Sequence, residues 1–203
     1  MSMESDPVSI IVRETRETRV RVELSRGTGA GTDASSGTGT VAGAGADNGG
    51  IDTGERFLDH MLVTLARYSG LRLRVEARGD LRHHLVEDVA IAVGSAVAEL
   101  APERAARYGE RVVPMDDALV QVALDIGGRP YYRGPLPSPL YDHWMRSFSD
   151  HAHATLHVRV IRGRDRHHVV EAAFKALGLS LRQALVEGDT VFSTKGSVIL
   201  GGK

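Results

Sequence analysis

The same chemical pattern occurs twice along this chain. Asp59-His60 is followed, 23 residues after its histidine, by His83-His84-Leu85-Val86-Glu87; Asp142-His143 is followed, 24 residues after its histidine, by His167-His168-Val169-Val170-Glu171. The intervening segments match as well. Leu73-Arg74-Val75-Glu76-Ala77-Arg78 precedes the first His-His pair and Leu156-His157-Val158-Arg159-Val160-Ile161 the second, both with strand alternation. Each half reads as a helix carrying Asp-His, a strand, a turn, and a second helix opening on His-His-x-x-Glu. Two unrelated halves would rarely share both residues and spacing, so the chain is an internal duplication, with halves at about 8–105 and 112–190.

Periodicity supplies the elements. Residues 57, 58, 61, 62, 65 and 66 are apolar at helical spacing, and Gly70 ends that run. Val8 to Leu24 alternates apolar and charged residues, as one or two half-buried strands do. Further strands are expected at Leu71–Glu76, Leu119–Ile126 and Thr155–Ile161. Helices are expected at His84–Leu100, from about Leu140, and at His168–Val186. The segment 25–54 is rich in Gly, Ala, Ser and Thr, has no aromatic residue, and holds only Val41 and Ile51 as large apolar side chains. It cannot bury enough surface to offset its ordering entropy, and reads as a long mobile loop inside one 203-residue domain.

Six of the nine histidines fall in the repeat. A lone histidine is ordinarily a surface or satisfied core residue, and His151, His153 and His157 are taken that way. Two His-His-x-x-Glu motifs with two partner histidines in register are harder to explain so. At a helix start, Glu87 lies four residues after His83 and three after His84 and can face with either. Adjacent histidines point about 100° apart around a helix, so one motif most easily serves two metal ions. His60, His83, His84, Glu87, His143, His167, His168 and Glu171 make eight ligands, enough for two ions with three imidazoles and one carboxylate each. Imidazole and carboxylate without thiolate suit Mn, Fe, Ni or Zn. Four protein ligands leave positions open on an octahedral ion, which points to catalysis rather than a structural staple. Arg107, Arg129 and Lys195, with Ser193 and Thr194, could bind an anion.

These residues resemble the imidazoleglycerol-phosphate dehydratase family along nearly the whole chain. The motifs are Arg-Glu-Thr-Arg-Glu-Thr at 13–18, Phe57-Leu58-Asp59-His60-Met61-Leu62, His83-His84-Leu85-Val86-Glu87-Asp88, Arg107-Tyr108-Gly109, Gly128-Arg129-Pro130, the run from Asp165 to Ala172, Phe174-Lys175-Ala176 and Ser193-Thr194-Lys195-Gly196. The resemblance implies an α/β (α+β) fold of two similar halves, each a four-stranded sheet with two helices, like the second domain of ribosomal protein S5. It implies two manganese ions (Mn2+) per chain, bound by the eight residues above, in sites shared between the subunits of a 24-subunit homo-oligomer. It implies loss of water from imidazole glycerol phosphate, giving imidazole acetol phosphate, in histidine biosynthesis. His60 would also touch substrate. Glu17, from another subunit, would face the substrate and help move protons, with Glu87 and Glu171 in the catalytic set. Arg107, Arg129, Ser193 and Lys195 would hold the phosphate. Three departures stand out: the longer loop before Phe57, Leu85 in place of the family's Thr, and a shorter turn before His83 that lacks the family's acidic residues after Asp80. None removes a ligand.

Two other readings of the motifs are a dinuclear metal hydrolase and a metal-storage protein. The first ordinarily uses more Asp and a bridging carboxylate or carbamylated Lys; the second has no need of the arginines and the Ser-Thr-Lys segment together. A catalytically weakened paralogue is a further alternative, because of the short turn. Composition excludes more. There is no Cys, and a formal net charge of −1 argues against a generic nucleic-acid or anionic-membrane binder. Absent an apolar run long enough to span a bilayer or a basic-then-apolar leader, the simplest expectation is a cytoplasmic protein.

Overall fold

The computed structural model describes residues 7–26 and 50–189. The first half contains β1 (Val8–Glu14), β2 (Thr18–Arg26), β3 (Ile51–Asp52), α1 (Arg56–Ser69), β4 (Leu71–Gly79) and α2 (Arg82–Leu100). The second contains β5 (Tyr108–Met115), β6 (Ala118–Asp125), β7 (Tyr131–Arg133), α3 (Pro139–His151), β8 (Thr155–Arg162) and α4 (Arg166–Ala184). The sheets have the orders β1-β2-β4-β3 and β5-β6-β8-β7, so the duplication extends to strand connectivity. In each, three strands are antiparallel, and a short parallel edge strand leads through a crossover helix into its neighbour.

Alternation decides which sheet face is buried. Val20, Val22 and Leu24 of β2 and Leu73, Val75 and Ala77 of β4 point inward, while the arginines and glutamates between them stay outside. The helices cover the inner faces and then pair across the halves: α1 lies against α4, and α2 against α3. The core is therefore four helices between two outer sheets. Trp144, Phe148 and Phe174 lie fully buried in it, with Trp144 tilted 4.6 Å from Phe174.

Two equivalent glycines permit the cross-half pairing. A Cβ on Gly94 of α2 would lie 2.6 Å from the carbonyl oxygen of Phe148 in α3; one on Gly178 of α4 would lie 3.0 Å from that of Leu65 in α1. An added Cβ would meet the partner helix's backbone there, with nothing flexible to yield. Gly94→Ala should therefore destabilise the protein by about 1–2 kcal/mol, although alanine is the better helix former, because overpacking outweighs the gain in propensity. A melting temperature equal to or above wild type would contradict this packing.

Several elements differ from expectation. Val8 to Leu24 forms two strands, within the expectation, but β2 continues to Arg26. Segment 25–54 is thus trimmed at both ends, with Ile51 buried in β3; its residues 27–49 lie outside the described residues. β5 begins at Tyr108, ahead of the half boundary at about 112. Its Glu110-Arg111 and Val112-Val113 pairs break the two-residue period, and it is a strand because β6 supplies its partner. β3 and β7 are too short for any period to show. Among the described residues no helix is long and apolar enough to cross a membrane.

Candidate active site

The aspartate of each Asp-His pair serves as an anchor. Asp59 Oδ1 accepts the Thr53 backbone N–H at 2.9 Å; Asp142 Oδ1 accepts that of Leu136 at 2.8 Å, six residues upstream in both halves. Thr53 and Tyr132 hydroxyls donate to the same oxygens. Each carboxylate thereby ties the incoming chain to its helix and sets the histidine that follows.

Cross-half pairing then collects the ligand candidates. His60 of α1 meets His167 and Glu171 of α4; His143 of α3 meets His83 and Glu87 of α2. In the first group, Nε2 of His60 and Nε2 of His167 lie 3.3 and 3.1 Å from Glu171 Oε2. In the second, Nε2 of His143 and Nε2 of His83 lie 3.2 and 3.8 Å from Glu87 Oε2. Rings stack within each group, His60 on His167 and His83 on His143. One chain thus supplies two pseudo-equivalent groups, each with two imidazoles and one carboxylate.

The second histidine of each pair points elsewhere, as the helical angle requires. His84 Nδ1 lies 3.0 Å from Glu17 Oε2 and 3.7 Å from Asp80 Oδ1. The short turn before α2 therefore leaves Asp80 itself beside the histidine pair. His168 Nδ1 hydrogen-bonds Asp117 Oδ1 at 2.8 Å, and its Nε2 is 3.4 Å from Asp116 Oδ2. The hydrogen bond to Asp117 raises the His168 pKa. Burial alone would push the Glu171 carboxyl up, but the Lys175 ammonium, 3.0 Å from Oε1, and His60 outweigh it and hold it below the ordinary carboxylate range.

The donor set fits a divalent cation of intermediate hardness. His143 Nε2 and His84 Nδ1 are buried and make no well-directed hydrogen bond, although carboxylate oxygens lie at 3.2 and 3.0 Å. Lone pairs gathered around a point without satisfying one another are what a cation needs.

The 13–18 run is anchored. Asp88, the residue after Glu87, is buried and takes Arg13 Nε at 2.8 Å and the Thr18 hydroxyl. Thr15 Oγ1 accepts the backbone N–H groups of Glu17 and Thr18. These bonds fix the β1–β2 turn and so deliver Glu17 to His84. His151 instead bonds the Ser147 carbonyl of its own helix, and His157 lies against Tyr131.

The anion-binding candidates lie elsewhere. Arg107 is held by Asp125 through contacts of 3.0 to 3.1 Å, and the Gly128–Arg129 turn is beside it. Both adjoin the pairing of Tyr108 with Asp125, one end of the second sheet; the turn carrying Asp117 is at the other. Eight residues of strand separate them, roughly 25 Å. Within one chain the arginines and His168 are not brought together. Ser193 and Lys195 lie outside the described residues. The sequence reading missed Asp80, Asp116, Asp117 and Lys175. Lys175 stands one helical turn after Glu171, a spacing that could have revealed it. The aspartates at 116–117 occupy the hairpin turn equivalent to that of Glu17.

Comparison with known proteins decides the family. The model for imidazoleglycerol-phosphate dehydratase matches residues 53–181. The chain belongs to the imidazoleglycerol-phosphate dehydratase family. Imidazoleglycerol-phosphate dehydratase of Pyrobaculum calidifontis is 46% identical over 91% of this chain and 96% of its own. That of Desulfitobacterium hafniense is 41% identical over 92% and 95%. A crystal structure of the Pyrococcus furiosus protein superposes with a TM-score of 0.76 at 36% identity, covering 93% of this chain and all of that one. As a family member the chain is a dehydratase, a lyase, and its paired four-stranded halves are the dehydratase fold.

Proposed function

We propose that this dehydratase removes water from imidazole glycerol phosphate to give imidazole acetol phosphate in histidine biosynthesis, in the cytoplasm, with two manganese ions per chain. The observation that carries this reading is the pair of cross-half groups, His60–His167–Glu171 and His83–His143–Glu87, with His84 and His168 turned away from both. His84 and His168 are then free to complete groups on neighbouring copies. Arg107 and Arg129, at the far end of the sheet, reach a substrate phosphate only if copies assemble, which supports a homo-oligomer; the family resemblance implies 24 subunits.

These imidazoles and carboxylates would hold divalent cations, which when bound would supply Lewis acidity toward a substrate imidazole. The chain's residues do the rest. Glu171, kept ionised by Lys175, and Glu87 hold negative charge where imidazoles converge. Glu17 Oε2, half exposed on a fixed turn, can take the carbon-bound proton next to the departing hydroxyl and return it to carbon during tautomerisation to the ketone, while the enol O–H proton leaves with the hydroxide as water. Arginines, with Ser193 and Lys195, grip the phosphate and orient the reacting end.

Protein reconstituted with manganese should bind about two ions per chain, consume imidazole glycerol phosphate, and elute from size exclusion as an assembly far larger than 21.9 kDa. Metal saturation at zero or one ion, or no turnover by the loaded protein, would overturn the reading.

A further inference from the structure

Asp117 stands in the second half where Glu17 stands in the first. Each is the last residue before the inner strand of its sheet, β6 or β2, and each sets a carboxylate oxygen beside Nδ1 of the second histidine of its half. They differ in how they are held. Asp117 Oδ2 accepts the backbone N–H groups of Arg164 at 2.6 Å and Asp165 at 3.2 Å, in the turn that opens α4, while Oδ1 takes the His168 ring at 2.8 Å. Glu17 has no comparable ties, and the Nδ1 atom it approaches has no well-directed hydrogen bond.

We propose that Asp117 is a positioning residue that fixes His168 as the tautomer protonated at Nδ1, so that Nε2 presents its lone pair to a metal ion, while its counterpart Glu17 remains an untethered arm. An ionised carboxylate only accepts, so the hydrogen shared with Nδ1 belongs to the ring. A carboxylate that accepts from the far nitrogen of a ligating imidazole sets ring orientation and raises ligand basicity. The exposed Asp116 carboxylate flanks Nε2 and is not tied to the backbone turn. Equivalent positions of the two halves thus carry an anchored carboxylate in one and a carboxylate held only through its turn in the other. This inference rests on the reading of His168 as a metal ligand.

Asp117→Asn tests it. Two backbone N–H groups keep the side-chain carbonyl oxygen in the Oδ2 position, which leaves the amide NH2 facing His168. The ring must then accept through Nδ1 and carry its proton on Nε2. Manganese titration followed by the EPR signal of the free ion should show one of two sites weakened 10- to 100-fold, with the other site and the melting temperature near wild type. In metal-free protein at alkaline pH, magic-angle-spinning 15N spectra of labelled histidine should move His168 from the Nδ1–H to the Nε2–H form. Two unaltered sites, or an unchanged tautomer, would overturn the inference and leave the metal reading intact. Wild-type protein that takes up no manganese would overturn that reading, and the inference with it.

Discussion

His143→Ala should cost the protein one of the two metal ions proposed for it and about three orders of magnitude in kcat/KM. His143 is the side chain that α3 sends across to the other half, and its Nε2 is buried without a hydrogen bond, 3.2 Å from Glu87 Oε2. Removing it leaves His83 and Glu87 as the only ligands from this chain, on one helix, and even with a histidine from a neighbouring copy they bind a divalent ion weakly. Lewis-acid stabilisation is worth several kcal/mol, and each 1.36 kcal/mol is about tenfold in rate. The fold should survive, because His143 is only half-buried and Asp142, not His143, ties the helix to its incoming chain. Elemental analysis and circular dichroism on the same preparation check the two statements. A folded variant that keeps two ions and wild-type turnover would remove His143 from the site.

Glu17→Gln should lower kcat by about 10²–10⁴ while metal content and KM stay near wild type. The substitution preserves shape and the turn, since Thr15 holds the Glu17 backbone rather than its carboxylate. What it removes is the capacity of Oε2 to accept a proton. Because His84 is its neighbour at 3.0 Å, metal stoichiometry must be measured alongside the rate. A loss of metal would make Glu17 a partner of the ligand set, and an unchanged kcat would exclude it from proton movement. This variant and His143→Ala separate chemistry from metal binding, which a rate measurement alone would confuse.

Of the two principal variants, His143 lies in the repeat visible in the sequence, for reasons local to it, whereas Glu17 entered only through the family resemblance. His-His-x-x-Glu recurs at equal spacing, and the 100° step between neighbouring helical residues already separates His83 from His84 and His167 from His168. Likewise the two-residue alternation in Val20–Leu24 and Leu73–Ala77 carries the buried face of the sheet within a single strand. Such features follow from one element's own geometry. β5, β3 and β7 were not legible, because a strand with a broken or very short period is defined by its neighbour and not by its own residues.

Only the tertiary structure decided which residues meet. Nothing in the spacing indicates that His60 joins the helix of the other half, or that His143 does the reverse; that follows from helix pairs packed backbone to backbone at Gly94 and Gly178. The same holds for Asp117, whose partners Arg164, Asp165 and His168 lie 47 to 51 residues away along the chain. It holds also for Arg107 and Arg129, placed by strand direction at the end of the sheet opposite the His168 turn. Period and motif report what one helix or strand does with its own residues. Contacts between halves depend on how whole faces fit together, through packing that a linear pattern does not encode.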